Sequence, residues 1–175
     1  MASQTRFSVF KQVQTHNPRN IFSAERPRLI HWSHYVEQIF LAQQLRTDIY
    51  VGLQYLSNFA PILPLYSRIA QTARRVYVFA IVDLQMDTQP FQVIPLTPQD
   101  QLVKEWFVVF ADPQESRVLS AIETTPPGAS TRTFDGVLTS DAGIAAHVVR
   151  QINRQFDLSP AEHKSAGPPP DNAAG

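Results

Sequence analysis

The sequence predicts an α+β domain of the broad α/β class: a mixed, largely antiparallel sheet of about five or six strands, flanked by three or more helices. Two kinds of segment predict it. Residues 76–82 and 105–111 are continuous apolar runs rich in β-branched and aromatic side chains, the pattern of strands covered on both faces. Residues 64–72 and 142–156 instead space their apolar side chains three and four apart, which makes one face of a helix. In 65–83 the two patterns follow one another, with Leu65, Ile69 and Ala73 at i, i+4 and i+8 ahead of the run that opens at Val76. A helix feeding a buried central strand marks the core.

The remaining elements follow in order. Residues 1–6 are expected to be disordered. Phe7, Val9, Phe10 and Val13 suit a short helix or strand lying on the domain, and 16–20 turns the chain at Asn17-Pro18. A polar stretch leads to Pro27-Arg28. Ser33 is the expected N-cap of a helix over 35–45, with Val36, Ile39 and Phe40 on one face. Glu37 then falls in its first turn and Arg46 at its end, the order the helix dipole favours. Residues 48–55 are the next strand, in which Gly52 predicts a bulge or the close approach of another group.

Pro64 stands where the start of a helix tolerates proline. Beyond the central strand, 91–96 is a short edge strand, because Pro95 has no N–H to give to a ladder. A single helical turn fits 98–104. Residues 105–111 are expected beside the central strand and return through Asp112-Pro113 into 117–124 as an antiparallel hairpin. A last short strand covers 133–138, with a bulge or bend at Asp135-Gly136. Ser140 or Asp141 caps the closing helix, whose buried side carries Ile144, Val148 and Ile152. From 158 onward the Pro/Ala/Gly-rich tail is expected to be disordered.

Composition bounds the function. At 175 residues the chain reads as one folded unit, and with equal numbers of basic and acidic side chains, 15 of each, it does not read as a nucleic-acid binder. It contains no cysteine, hence no disulfide, thiolate nucleophile or thiolate metal ligand. The opening residues hold no apolar run of signal-peptide length, and no stretch is apolar enough to span a bilayer, so the expected compartment is the cytoplasm and no membrane contact is expected. Its six glycines never fall as GxGxxG or GxxxxGK.

Several residues stand out nonetheless, each with a plainer reading beside it. His31 and His34 lack a third ligand nearby and read as helix-start histidines, and no metal or catalytic set is legible. Asp83 closes the central strand, where α/β sheets tend to bind ligands, but it also suits a turn. Tyr50, Tyr55, Phe59 and Tyr66 gather around one loop, as core or as the wall of an apolar pocket beside Asp83. Arg68, Arg74 and Arg75 suit the end of a helix or contact with an anion or partner protein. Asp83 with Glu105 or Glu123 would supply acid and base if the domain were an enzyme, the alternative reading. No cofactor is evident.

Three segments carry a family resemblance: YSRIAQTARRVYVFA (66–80), DQLVKEWFVVFADPQESRVLSAIET (100–124) and RTFDGVLTSDAGIAAHVVRQI (132–152). Together with SVFKQVQ (8–14) and GLQYLSNFAPILPLYSRIA (52–70), their order and spacing resemble the DICT domain, a bacterial sensory domain that occurs with diguanylate cyclases and two-component systems. The resemblance covers residues 7–157. One departure is that Leu138 and Ser140 stand where relatives often have aromatics. The resemblance implies a regulatory, non-catalytic role, with light-responsive bacterial signalling, including in cyanobacteria, as its common setting. It implies a histidine kinase, response regulator or diguanylate cyclase as partner, and allows a small-molecule ligand. No kinase glycine box or GGDEF-like motif accompanies it, so a stand-alone sensor is expected, one that must pass its state on by touching another protein.

Overall fold

The computed structural model describes residues 4–16 and 18–158. Among these, seven strands form one sheet: β1 (Ile21–Glu25), β2 (Ile49–Tyr55), β3 (Val76–Ile81), β4 (Gln92–Pro95), β5 (Glu105–Ala111), β6 (Ser116–Glu123) and β7 (Thr133–Thr139). Their order across the sheet is β1-β7-β6-β5-β2-β3-β4. The β2–β3 and β3–β4 pairs are parallel and the other four are antiparallel, so the expected mixed, largely antiparallel sheet is present with one strand more than the upper expectation.

Four α-helices flank it: α1 (Val9–Gln14), α2 (Arg26–Ala42), α3 (Leu63–Ile69) and α4 (Ala142–Gln155). The period of two along each strand sends alternate side chains to opposite faces. Ile49, Val51 and Leu53 of β2, Val76, Val78 and Ala80 of β3, and Trp106, Val108 and Phe110 of β5 join one core with α2 and α3. Tyr50, Tyr77, Phe79, Phe107 and Val109 join the other with α1 and α4. The sheet is the middle of three layers, which explains why its strands read as unbroken apolar runs.

Local chemistry fixes the ends of the elements. Asp141, of the two expected caps, accepts the Ile144 amide on Oδ1 at 2.9 Å. Such a cap contributes about 1 kcal/mol. Ile144, Val148 and Ile152 are buried as expected. At the start of α1, the Ser8 hydroxyl accepts the Lys11 amide while Glu105 accepts the Phe10 amide at 2.7 Å. That carboxylate, buried under α1 from β5, satisfies one of the orphan donors of the helix. Burial pushes its pKa up to about 7, against the opposing pull of the hydrogen bonds it accepts.

Several expectations need correction. The run 76–82 is not central: β3 has only β4 beyond it, and 105–111 lies beside β2 instead. Periodicity reports burial on two faces but carries no strand order. The polar stretch before Pro27 contains β1, an edge strand with only Ala24 buried, held by its ladder to β7. The helix expected over 35–45 begins at Arg26, with Pro27 in its first turn, and ends at Ala42. Ser33 is therefore mid-helix and buried rather than a cap, and Glu37 lies well inside the helix. Residues Gln4–Arg6, expected to be disordered, form a 3-10 turn. The expected disorder of 1–3 and of 159–175 lies outside the described residues, as does Asn17 of the expected turn.

The two glycine expectations separate. At Gly52 both alternatives hold: the β2–β3 register shifts between Gly52 and Gln54, and a Cβ on Gly52 would sit 2.2 Å from the Phe107 ring. At Gly136 the register is continuous, so there is no bulge. The Phe22 ring occupies the space a side chain would need, 2.5 Å from that Cβ position.

Phe107 is fully buried and has no room to yield. Gly52→Ala should therefore destabilise the fold by about 2–3 kcal/mol through overpacking, and Phe107→Leu in the same chain should return part of the loss. Urea unfolding of the three variants measures this. A Gly52→Ala protein as stable as the wild type would contradict the close contact.

Candidate functional site

A partly enclosed hollow with converging polar groups lies between α2 and the turn that follows β2. Its volume is about 340 Å³, at the small end for a ligand site. Helix α2 contributes Arg26, Ser33, His34 and Glu37, while Asn58 and Ile62 stand opposite. Trp106 enters from β5 on the face that packs against α2.

Each position has a local cause. Trp106 donates its indole N–H to the Ser33 hydroxyl at 2.7 Å, in a buried bond that links strand to helix. Asn58 is held by donation of its amide to the Leu53 carbonyl at 2.8 Å. Arg26 reaches from the first turn of α2 to lie over the Trp106 ring, 5.9 Å from its centroid, and donates to Asn58 Oδ1 at 3.3 Å. Its Nε is buried without a partner, and among the described residues it has no ion-pair carboxylate. The nearby acid Glu123 is taken by Arg132, which also bonds Gln54.

Glu37 is the least expected member. Its residue is 1% exposed and Oε2 has no hydrogen-bond partner. Burial pushes its carboxyl up to about 8, and the adjacent Tyr66 hydroxyl offsets only part of that. Tyr66 is driven far above its ordinary value by burial and by the neighbouring carboxyl, and its hydroxyl makes no well-formed hydrogen bond. Near neutral pH the Glu37 carboxyl keeps its proton, so the wall carries a neutral acid there and not a charge.

A second, more open groove of about 720 Å³ lies at the end of the parallel strands, walled by Leu56, Val82, Leu84, Met86 and Val93. Asp83 follows β3 close by but turns its carboxylate to Ser57, whose amide and hydroxyl donate at 2.9 and 2.6 Å. Those bonds hold the Asp83 carboxyl below its usual range. Asp83 is thus a tie between a strand end and a turn.

The four aromatics named from sequence do not come together. Tyr50 lies on the other face of the sheet, stacked on Tyr77 at 5.2 Å with its hydroxyl donating to Asn153. Phe59 and Tyr66 pack against each other at 5.2 Å in the α2-side core, and Tyr55 is exposed. Neither hollow is lined by any of the four. Arg74 forms a two-pronged pair with Asp48, Arg75 donates to the Tyr77 hydroxyl, and Arg68 is exposed on α3. Glu105 and Glu123 are each committed elsewhere, so the three acids share no cleft. His34 stands at the cleft and His31 in solvent, and no three potential ligands group to hold a metal among the described residues.

Glu37 was legible only as a charge near a helix start. Had Pro27 been read as an N-terminal helix residue, the spacing Leu29, Ser33, Val36, Phe40 would have turned Glu37 inward.

Residues 7–124 match the family model DICT, described as the sensory domain in diguanylate cyclases and two-component systems. No curated protein and no solved structure matches the chain.

The acidity of Glu37 makes stability depend on pH. Its folded value, about 8, lies above the ordinary 4.5, so the folded state keeps a proton that the unfolded chain releases. Stability is full below about 4.5 and falls as pH rises through 8, by at most about 1.4 kcal/mol per unit for one proton. Glu105 acts in the same direction but only to about 7. Between pH 7 and 8 the decline should therefore shrink in Glu37→Gln, as read by urea midpoints at the two pH values. An unchanged slope would show that Glu37 is ionised in the folded protein.

Proposed function

The chain belongs to the DICT family of sensory domains, and we propose that it acts as a non-catalytic sensor holding a small ligand in the cleft between α2 and Trp106. The observation that carries this reading is the Glu37 oxygen in the wall of that cleft, which the Tyr66 hydroxyl approaches without closing a well-formed bond. A buried polar group without a partner costs about 1–3 kcal/mol, a cost that packing alone would remove by an apolar residue. Retaining it makes sense where a ligand completes the bond.

The enzyme alternative draws less support, since Asp83, Glu105 and Glu123 are bound separately by Ser57, the Phe10 amide and Arg132. Occupancy of the cleft would favour one placement of α2 over another and so shift a conformational population. The readout is contact with a histidine kinase, response regulator or diguanylate cyclase in the cytoplasm, with the surface around Arg68, Arg74 and Arg75 as the proposed contact. A formal charge of zero gives no general pull towards nucleic acid, and no helix among the described residues is long and apolar enough to cross a membrane.

Native mass spectrometry on protein purified from its own host tests the reading. A bound small molecule should be seen, retained in Asp83→Asn and lost in Glu37→Met. An empty protein that co-purifies with a signalling partner would replace the ligand sensor with an adaptor.

A further inference from the structure

We propose that the cleft selects a small organic monocarboxylate with a planar apolar body and a hydrogen-bonding group at the end away from its charge. This rests on the ligand-sensor reading and names the chemistry of its ligand.

Three observations converge. At one end Arg26 supplies a cation whose Nε–H is buried without an acceptor and which has no ion-paired carboxylate among the described residues. At the other, Glu37 presents an unpartnered oxygen from a side chain almost wholly removed from solvent. Between them lies Trp106, contacted by the Arg26 guanidinium above its ring and by Ser33 at its indole N–H. Ser33 stands four residues before Glu37, one turn along the same helix face. The order along the wall is therefore cation, aromatic plate, neutral acid.

Charge decides among ligands. Arg26 brings one positive charge, and the carboxyl of Glu37 is neutral near pH 7 because burial penalises its ionised form. One negative charge on the ligand completes the site. A phosphate dianion would bring a second charge for which His34, exposed at the rim, is the only other basic side chain in the lining. An ammonium ligand would bring a second cation into a cleft whose arginine has no ion-paired carboxylate among the described residues. A guanidinium fork matches a carboxylate in shape as well as in charge. Ile30, Ile62 and Trp106 supply apolar walls for the body between the two ends. The volume of about 340 Å³ limits that body to a small molecule.

The test is calorimetric titration of the full chain with four probes: 4-hydroxybenzoate, benzoate, 4-hydroxybenzamide and tyramine. We expect 4-hydroxybenzoate to bind best. Benzoate, which leaves Glu37 unpaired, should be weaker by roughly tenfold or more, and the uncharged amide weaker by a similar factor. Arg26→Gln should erase the preference for the acid over the amide. Glu37→Met should erase the preference for the hydroxylated acid over benzoate, whereas Glu37→Gln, which keeps a hydrogen-bonding group, should preserve it. Tighter binding of tyramine or of the amide would overturn the carboxylate assignment, and so would ratios unmoved by either variant. If none of the probes binds, this ligand class is wrong. The sensor reading then stands or falls separately on whether the host-purified protein carries a molecule of another charge in the same cleft.

Discussion

Strand β5 is buried along nearly its whole length on both faces, and both helical layers are registered against it. Its even positions, Trp106, Val108 and Phe110, meet α2, while Phe107 and Val109 meet the layer of α1 and α4. Glu105 extends the same logic into polar chemistry by capping α1 from below. A strand used in this way cannot slip. A shift of one residue would send Trp106 into the wrong core and leave the Phe10 amide without its acceptor. Gly52 on the neighbouring strand is the counterpart of that constraint, because the Phe107 ring fills the space its side chain would take.

The cleft inherits this rigidity. Trp106 cannot turn, since its neighbours on the strand are fixed in two cores and its indole N–H is bound to Ser33. Helix α2 is tied to the sheet at the same bond. Against that stiff background Glu37 and the Nε of Arg26 are local weak points, polar groups whose hydrogen bonds the fold leaves open. The turn at 56–62 is joined to α2 through Asn58 and Arg26, and is tied to β2 and to the end of β3 through Leu53 and Asp83.

How much was visible beforehand depended on the kind of signal. The apolar runs at 76–82 and 105–111, the helix face of Ile144, Val148 and Ile152, the edge position of Pro95 and the crowding at Gly52 all state a local requirement for burial or backbone. Each appears in the structure as that requirement demands. Edge strand β1 escaped because it buries only Ala24, and an edge strand held by backbone bonds has no side-chain pattern to display. The start of α2 escaped because Ser33 offered a familiar cap while the true cap, Glu25, makes no side-chain bond. That single error turned Glu37 from a cleft residue into a surface charge.

By itself the sequence determined the class of fold, the two-sided burial of its strands and, through the order and spacing of its segments, the DICT family to which the chain belongs. These follow from periodicity and local composition, which the chain carries wherever it goes. The tertiary structure alone decided which strand stands at the centre, and that Tyr50 faces away from Phe59 and Tyr66. It alone decided that Arg26, Trp106 and Glu37 share one cleft. Those facts depend on how β2 pairs with β5 and how α2 lies across them. Contacts between residues some seventy positions apart leave no trace in the spacing of either partner.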